Sequence, residues 1–297
     1  MSILYKALQQ AEMENAGAPA LGSGTPFNPA LFEVAQDENS WQDHVPAVTP
    51  VANAENRIVT ITDRDSLGGE KFRVLRARLR HLQDHGNLKK VVITSGAAAE
   101  GKTTVAANLA ISLACHTSQK VLLLEGDLRH PALASKLGIG DLPGLREWFE
   151  SQESLTKFIY RIEGYQLWFL PAGQPAEDAL RILQSDRFLE AMNRLSGCFD
   201  WIVIDAPPLQ PLADIHLLVK ESDGVLLVIR DGVTEKEKLA KGLEGLDGAK
   251  LVGVVRNDAP SAGQSSYQKY YAAQAQEGGS NHRGNKQESR RNPGALS

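Results

Sequence analysis

The sequence predicts an α/β domain of three layers, a mostly parallel sheet with helices on both faces. Three observations carry that prediction. Six short runs of nearly continuous apolar residues alternate with segments of helix length, the pattern of strands buried on both faces. The 297 residues are 42% hydrophobic and 23% charged, close to the average for globular chains. One apolar run leads directly into a glycine-containing loop and an apolar helix. In open α/β sheets such a strand end is where ligands bind.

The elements follow in order. Residues 3–13 read as a short amphipathic helix, with Leu4, Ala7, Leu8 and Ala11 at helical spacing. From Asn15 to Asn56 the chain is rich in Ala, Pro, Asn, Gly and Glu without periodicity, which reads as a disordered linker. A helix over 70–83 places Phe72, Leu75, Leu79 and Leu82 on one stripe. Strands are expected at 90–95, 120–125, 165–170, 201–205, 224–230 and 250–256. Helices are expected at 102–115, 143–151, 176–184, 186–196, 211–221 and 234–246. The polar tail after Glu277 reads as disordered. The organisation is thus a leader (1–56), one domain of 57–271 and a tail of 272–297.

Charge and composition exclude several classes. Net charge is −4, so there is no global basic field to hold nucleic acid. The leader 1–56 carries one Lys against seven acids, and residues 272–297 carry four basic residues against two acids, leaving the middle neutral. Cys115 and Cys198 form no CxxC and read as reduced structural thiols. His81 and His85 are four apart but lack the glutamate of a zinc-protease helix, and two ligands do not make a site. No run of about 18 apolar residues is present, and the first ten residues do not resemble a signal peptide. The expected location is cytoplasmic, with any membrane link supplied by a partner.

The site signal is specific. Gly96-Ala97-Ala98-Ala99-Glu100-Gly101-Lys102-Thr103 matches G-x-x-x-x-G-K-[ST], followed by Thr104 and an apolar helix. Glycines let backbone N–H groups wrap phosphates, and the helix start adds its positive end. Lys102 is expected to reach the β- and γ-phosphates of ATP, and the Thr103 hydroxyl to bind Mg²⁺. Two further strand ends carry acids. Asp205, in WIVIDAPP, is placed to hold Mg²⁺. Glu125-Gly126-Asp127-Leu128-Arg129 ends another strand, and Asp127 joins the candidate metal ligands. Lys102, Glu125, Asp127 and Asp205 form a phosphoryl-transfer constellation, with Glu125 or Asp127 as base for the attacking group. Arg129 either contacts phosphate or braces the loop. Asn257 and Asp258 either edge the adenine or are turn residues.

With these residues in view, the chain over about 57–271 resembles the bacterial tyrosine kinases of the capsular and exopolysaccharide type. The loop Gly96–Thr103 matches, as does Glu125-Gly126-Asp127-Leu128-Arg129 against that family's D-x-D-x-R. Asp205-Ala206-Pro207-Pro208 matches with Asp214 downstream, and Glu70, Arg73 and Arg76 match E-x-x-R-x-x-R. Tyr267, Tyr270 and Tyr271 form a cluster after the last strand. The resemblance implies a P-loop fold of the MinD/ParA-like deviant-Walker group, with ATP and Mg²⁺ as cofactors. It implies autophosphorylation of the tyrosine cluster in trans and ring-like self-association through Glu70, Arg73 and Arg76. It also implies regulation of polysaccharide synthesis and export, and recruitment to the inner membrane face by a separate adaptor of the polysaccharide co-polymerase type. The helix 3–13 is the expected contact for that adaptor.

One departure stands out: Glu125 replaces the first Asp and carries its charge one C–C bond further out. Two other readings compete. The first is a MinD/ParA-type ATPase switch, whose loop carries Lys where this chain has Ala97. The second is a kinase-like scaffold, catalytically weak because of Glu125.

Overall fold

The computed structural model describes residues 41–258 apart from 52, 116–118, 211–212 and 247. The elements, in chain order, begin with β1 (Ala47–Val48), α1 (Val59–Thr62), α2 (Leu67–Asp84), β2 (Lys90–Ser95), α3 (Lys102–Ala114) and β3 (Val121–Glu125). Next come α4 (Leu133–Leu137), α5 (Leu145–Glu150), β4 (Tyr160–Ile162), β5 (Leu167–Leu170), α6 (Ala179–Leu183) and α7 (Asp186–Cys198). The last are β6 (Trp201–Asp205), α8 (Asp214–Lys220), β7 (Gly224–Arg230), α9 (Lys236–Glu244) and β8 (Leu251–Asn257).

The strands form one sheet in the order β1-β4-β5-β3-β6-β2-β7-β8. Every pairing is parallel except β4 with β5. Side chains alternate along each central strand and feed two cores. Val91, Ile93, Leu123 and Val203 face α2 and α3, whereas Val92, Leu124, Ile202 and Ile204 face α5, α7 and α8. Helix α3 is apolar all round and buried from Val105 to Ala114, because the sheet covers one side and α2 the other. Its one fully buried amide, Asn108, is satisfied: Oδ1 accepts from the Thr60 N–H and hydroxyl, and Nδ2 donates to the Arg57 and Thr104 carbonyls.

The register sets the site. Glu125 of β3 lies opposite Asp205 of β6, and Asp205 lies opposite Ile93 of β2. β3 and β6 therefore end at one level, and β2 runs two residues further, to Ser95, before the glycine loop begins.

All six expected strands are present, with bounds shifted by two residues at most. Helix α2 starts three residues early because the Ser66 hydroxyl accepts from the Gly69 N–H at its N-terminus. Strands β1 and β4 and helices α1 and α4 were not expected, since two to five residues show no period. Cys115 is exposed at the end of α3, and the two cysteines are not joined in a disulfide. The helix 3–13, the tail 272–297 and Tyr267, Tyr270 and Tyr271 lie outside the described residues.

Residues 41–56 depart from the linker reading. β1 adds to the sheet edge through β4. Trp41 meets Phe199 edge-on at 6.1 Å, and the Trp168 Nε1–H donates to the Gln42 carbonyl at 3.1 Å. The buried Gln42 amide donates to the carbonyl of Cys198, which ends α7. A short polar stretch is ordered here because the sheet edge and the α7 terminus both need partners. Gln42→Ala strands that carbonyl and empties a buried site, at a cost of about 1–3 kcal/mol. The expected readout is a melting temperature lower by roughly 3–8 °C; an unchanged melt would show that the segment carries no stability.

Candidate active site

The loop between β2 and α3 takes its shape from two residues with positive φ, Ala99 at 62° and Gly101 at 98°. Alternation of this kind turns successive N–H groups toward one side and makes an anion nest. Gly101 cannot be replaced without movement, because a Cβ there would lie 2.2 Å from the Asn257 amide nitrogen. Helix α3 begins at Lys102, so its unpaired N–H groups and positive end open on the nest.

Lys102 meets the acids of the neighbouring strands. Its Nζ lies 2.9 Å from Asp127 Oδ2, 3.4 Å from the Thr103 hydroxyl and 3.9 Å from Asp205 Oδ1. Burial works against its charge, but Asp205 and Asp127 outweigh it and hold the ammonium above its ordinary value. Burial pushes the Asp205 carboxyl up to about 7, with Glu125 and Asp127 adding to the rise and Lys102 and Thr103 opposing it. Asp205 Oδ1 is buried and has no hydrogen-bond partner. A buried carboxylate oxygen without a donor, beside the Thr103 hydroxyl, fits a hard divalent cation such as Mg²⁺.

Glu125 is arranged differently. Its Oε1 accepts from the N–H groups of Ala132 and Leu133, both at 2.6 Å, and its Oε2 from Ala172 at 3.1 Å. Burial holds its carboxyl above the ordinary value, with Asp127 adding to the rise and those three N–H groups opposing it. The Glu125 carboxylate thereby ties residues 132–133 and Ala172 to the end of β3. Gly126 follows because β6 lies so close: a Cβ there would be 3.1 Å from the Asp205 carbonyl and 2.9 Å from Leu218.

Arg129, expected on the phosphates or as a brace, is a brace in this structure. Its Nε donates to Asp214 Oδ2 at 2.7 Å and its Nη1 to the Glu177 carbonyl at 2.8 Å. The hydrogen bond and charge of Asp214 hold its guanidinium above the ordinary value. Asn257 donates its amide to the Glu100 carbonyl at 2.9 Å, so it holds the loop itself. Glu70 pairs with Arg73 at 2.5 Å within α2, and Arg76 donates to the Ser112 carbonyl in the last turn of α3. The sequence reading missed the side-chain role of Glu100 and its partner Thr234, 2.5 Å away. Thr234 sits 134 positions further on, in a turn with no motif, so no local signal marks it.

A cleft of about 1230 Å³ opens from Gly101, Lys102 and Thr103 and runs between α2 and the end of β8. It has room for a nucleotide beyond the phosphates.

No protein-family model matches the chain. Individual proteins do. The tyrosine-protein kinase YwqD of Bacillus subtilis is 30% identical over 218 residues, 73% of this chain and 92% of that protein. The putative tyrosine-protein kinase CapB of Staphylococcus aureus is 30% identical over 204 residues, 68% of this chain and 89% of that protein. Among solved structures, the chimerical protein CapA2B2 superposes with a TM-score of 0.65 at 28% identity, covering 73% of this chain and 95% of that one. The VpsO kinase domain gives a TM-score of 0.56 at 34% identity, covering 66% of this chain and 100% of that one. The likeness extends over nearly the full length of the two curated kinases, and the chain belongs to the bacterial tyrosine-protein kinases.

Proposed function

We propose that this protein-tyrosine kinase uses Mg·ATP to phosphorylate the tyrosines Tyr267, Tyr270 and Tyr271 of a neighbouring copy. The observation that carries the ATP reading is the set of Lys102, Thr103 and the unpartnered Asp205 Oδ1 at the mouth of the phosphate loop. Mg²⁺, when bound, would neutralise phosphate charge. Thr103 and Asp205 are the residues to hold it, with Asp127 beside them. Lys102 leaves Asp127 for the phosphates, which offer it more negative charge in the same buried space. That release frees Asp127 to accept the proton of the attacking phenol. Glu125 is unsuited to that task, since both its oxygens already serve three backbone N–H groups. The tyrosine oxygen then bonds to the γ-phosphorus as the bond to the β–γ bridging oxygen breaks. ADP departs with the electron pair, and the phenol proton rests on Asp127.

The described residues end beside the cleft, which Asn257 and Asp258 both line. Ring-like self-association through Glu70, Arg73 and Arg76 belongs to the same proposal. Their internal partners leave edges of α2 for a neighbour, and Arg73 and Glu70 remain about a third exposed. Each added phosphate brings about −1.5 to −2 charge and would loosen such a ring. Regulation of capsular or exopolysaccharide synthesis and export, at the inner membrane face through a separate co-polymerase-type adaptor, completes the reading. The family resemblance supports it. Among the described residues no helix is long and apolar enough to cross a membrane.

Incubation with Mg·ATP followed by phosphosite mapping is expected to show phosphate on Tyr267, Tyr270 or Tyr271, and none in Lys102→Ala. Mixing Lys102→Ala with an active chain whose three tyrosines are Phe is expected to label the Lys102→Ala chain. Wild type without phosphotyrosine, or label retained by Lys102→Ala alone, would reject autokinase activity. Failure of the mixed pair would reject transfer in trans.

Asp205 generates a pH prediction. Its folded pKa is raised to about 7, so the folded nucleotide-free protein keeps a proton that the unfolded chain has lost. That contribution to stability is complete below the unfolded carboxyl pKa and is lost as pH rises through about 7. Asp205→Asn removes the titration. Without nucleotide, its melting temperature relative to wild type is expected to rise by several degrees between roughly pH 5 and pH 8. A constant difference across that range would contradict the raised pKa.

A further inference from the structure

The phosphate loop contains a buried acid that phosphate chemistry does not use. Glu100 is 2% exposed and its side chain turns into the protein. Its Oε2 accepts from the Ala97 N–H at 3.0 Å, which ties the loop to itself. Its Oε1 lies 2.5 Å from the Thr234 hydroxyl, in the turn between β7 and α9. The Thr234 oxygen accepts from the Arg230 N–H at 2.8 Å, leaving its proton to be donated. The other available acceptor, the Arg230 carbonyl, is at 3.1 Å. The shorter contact to a carboxylate is the stronger one, so the proton goes to Glu100. From the adjacent strand the Asn257 amide donates to the Glu100 carbonyl. Arg230 and Asn257 are paired across β7 and β8, so two neighbouring strand ends hold one loop residue by its side chain and its backbone.

We infer that Glu100, Thr234 and Asn257 form a latch that keeps the phosphate loop in its receiving shape before nucleotide arrives, with Thr234 as a positioning residue for ATP binding. The inference rests on the ATP reading of this loop and goes beyond it by adding a residue remote in sequence. The physical reason is preorganisation. A loop with two positive-φ residues has other shapes available when untethered, and ordering it on binding weakens affinity. Thr234 touches the loop, not the reacting atoms, so its loss should act on binding more than on the chemical step.

The test uses the full chain. Thr234→Val removes the donor while keeping the shape, and Thr234→Ser keeps the donor. Binding of a fluorescent ATP analogue, KM for ATP, kcat and melting temperature are measured for each. Thr234→Val is expected to raise Kd and KM about tenfold, the order expected from losing a hydrogen bond to a charged group. Its kcat should stay within about twofold, and Thr234→Ser should match wild type. Combining Thr234→Val with Glu100→Ala should raise KM no further than Glu100→Ala alone, since both act through one contact. If the valine crowds the turn and the protein unfolds, Thr234→Ala supplies the same comparison. A folded Thr234→Val with unchanged Kd, or a loss confined to kcat, overturns the latch alone. A wild type that binds no ATP analogue overturns the reading of the loop as well.

Discussion

Three carboxylates and one ammonium share a buried space at the ends of β3 and β6, and the charges do not balance. Lys102 is 12% exposed, Asp127 5% and Asp205 1%, so water can screen little of the repulsion. Glu125 is partly compensated by accepting from three backbone N–H groups. Asp127 takes the lysine. Asp205 is left with one bare oxygen and a pKa near 7. The site is therefore incomplete as a protein structure and suited to a cation and a polyanion arriving together.

The surrounding fold can be understood as what holds that arrangement in place. A parallel sheet ends its strands on one side, so β2, β3 and β6 deliver the loop and both acids to the same edge of the sheet. The two cores on either face clamp those strands, and α3 lies in one of them along nearly its whole length. Around the rim, Arg129 fixes Asp214 and the Glu177 carbonyl, while Asn257 and Thr234 reach the loop from β8 and the β7–α9 turn. These contacts join residues far apart in sequence, and those to Asp214 and Glu100 satisfy buried polar groups that would otherwise cost stability.

The substitution of Glu for Asp at position 125 gains its meaning from these contacts. Read from the motif, it weakens a catalytic acid. In the structure the longer side chain reaches the N–H groups of Ala132, Leu133 and Ala172 and serves as a brace, which moves the base role in our reading to Asp127. Arg129, open in the motif between phosphate contact and brace, is in the structure the partner of a buried aspartate.

What the sequence by itself determined was whatever is local and periodic. The six long strands, the main helices, the loop Gly96–Thr103 and the acids at 125, 127 and 205 were legible because apolar spacing and contiguous motifs are written along the chain. The short elements β1, β4 and α4 were not, because a few residues have no period and owe their form to neighbours. Which carboxylate braces and which stays open, where Arg129 points, and that Thr234 meets Glu100 were decided only by tertiary structure. Hydrogen bonds and burial act between atoms a few ångströms apart in space, and 134 positions of chain separate that last pair.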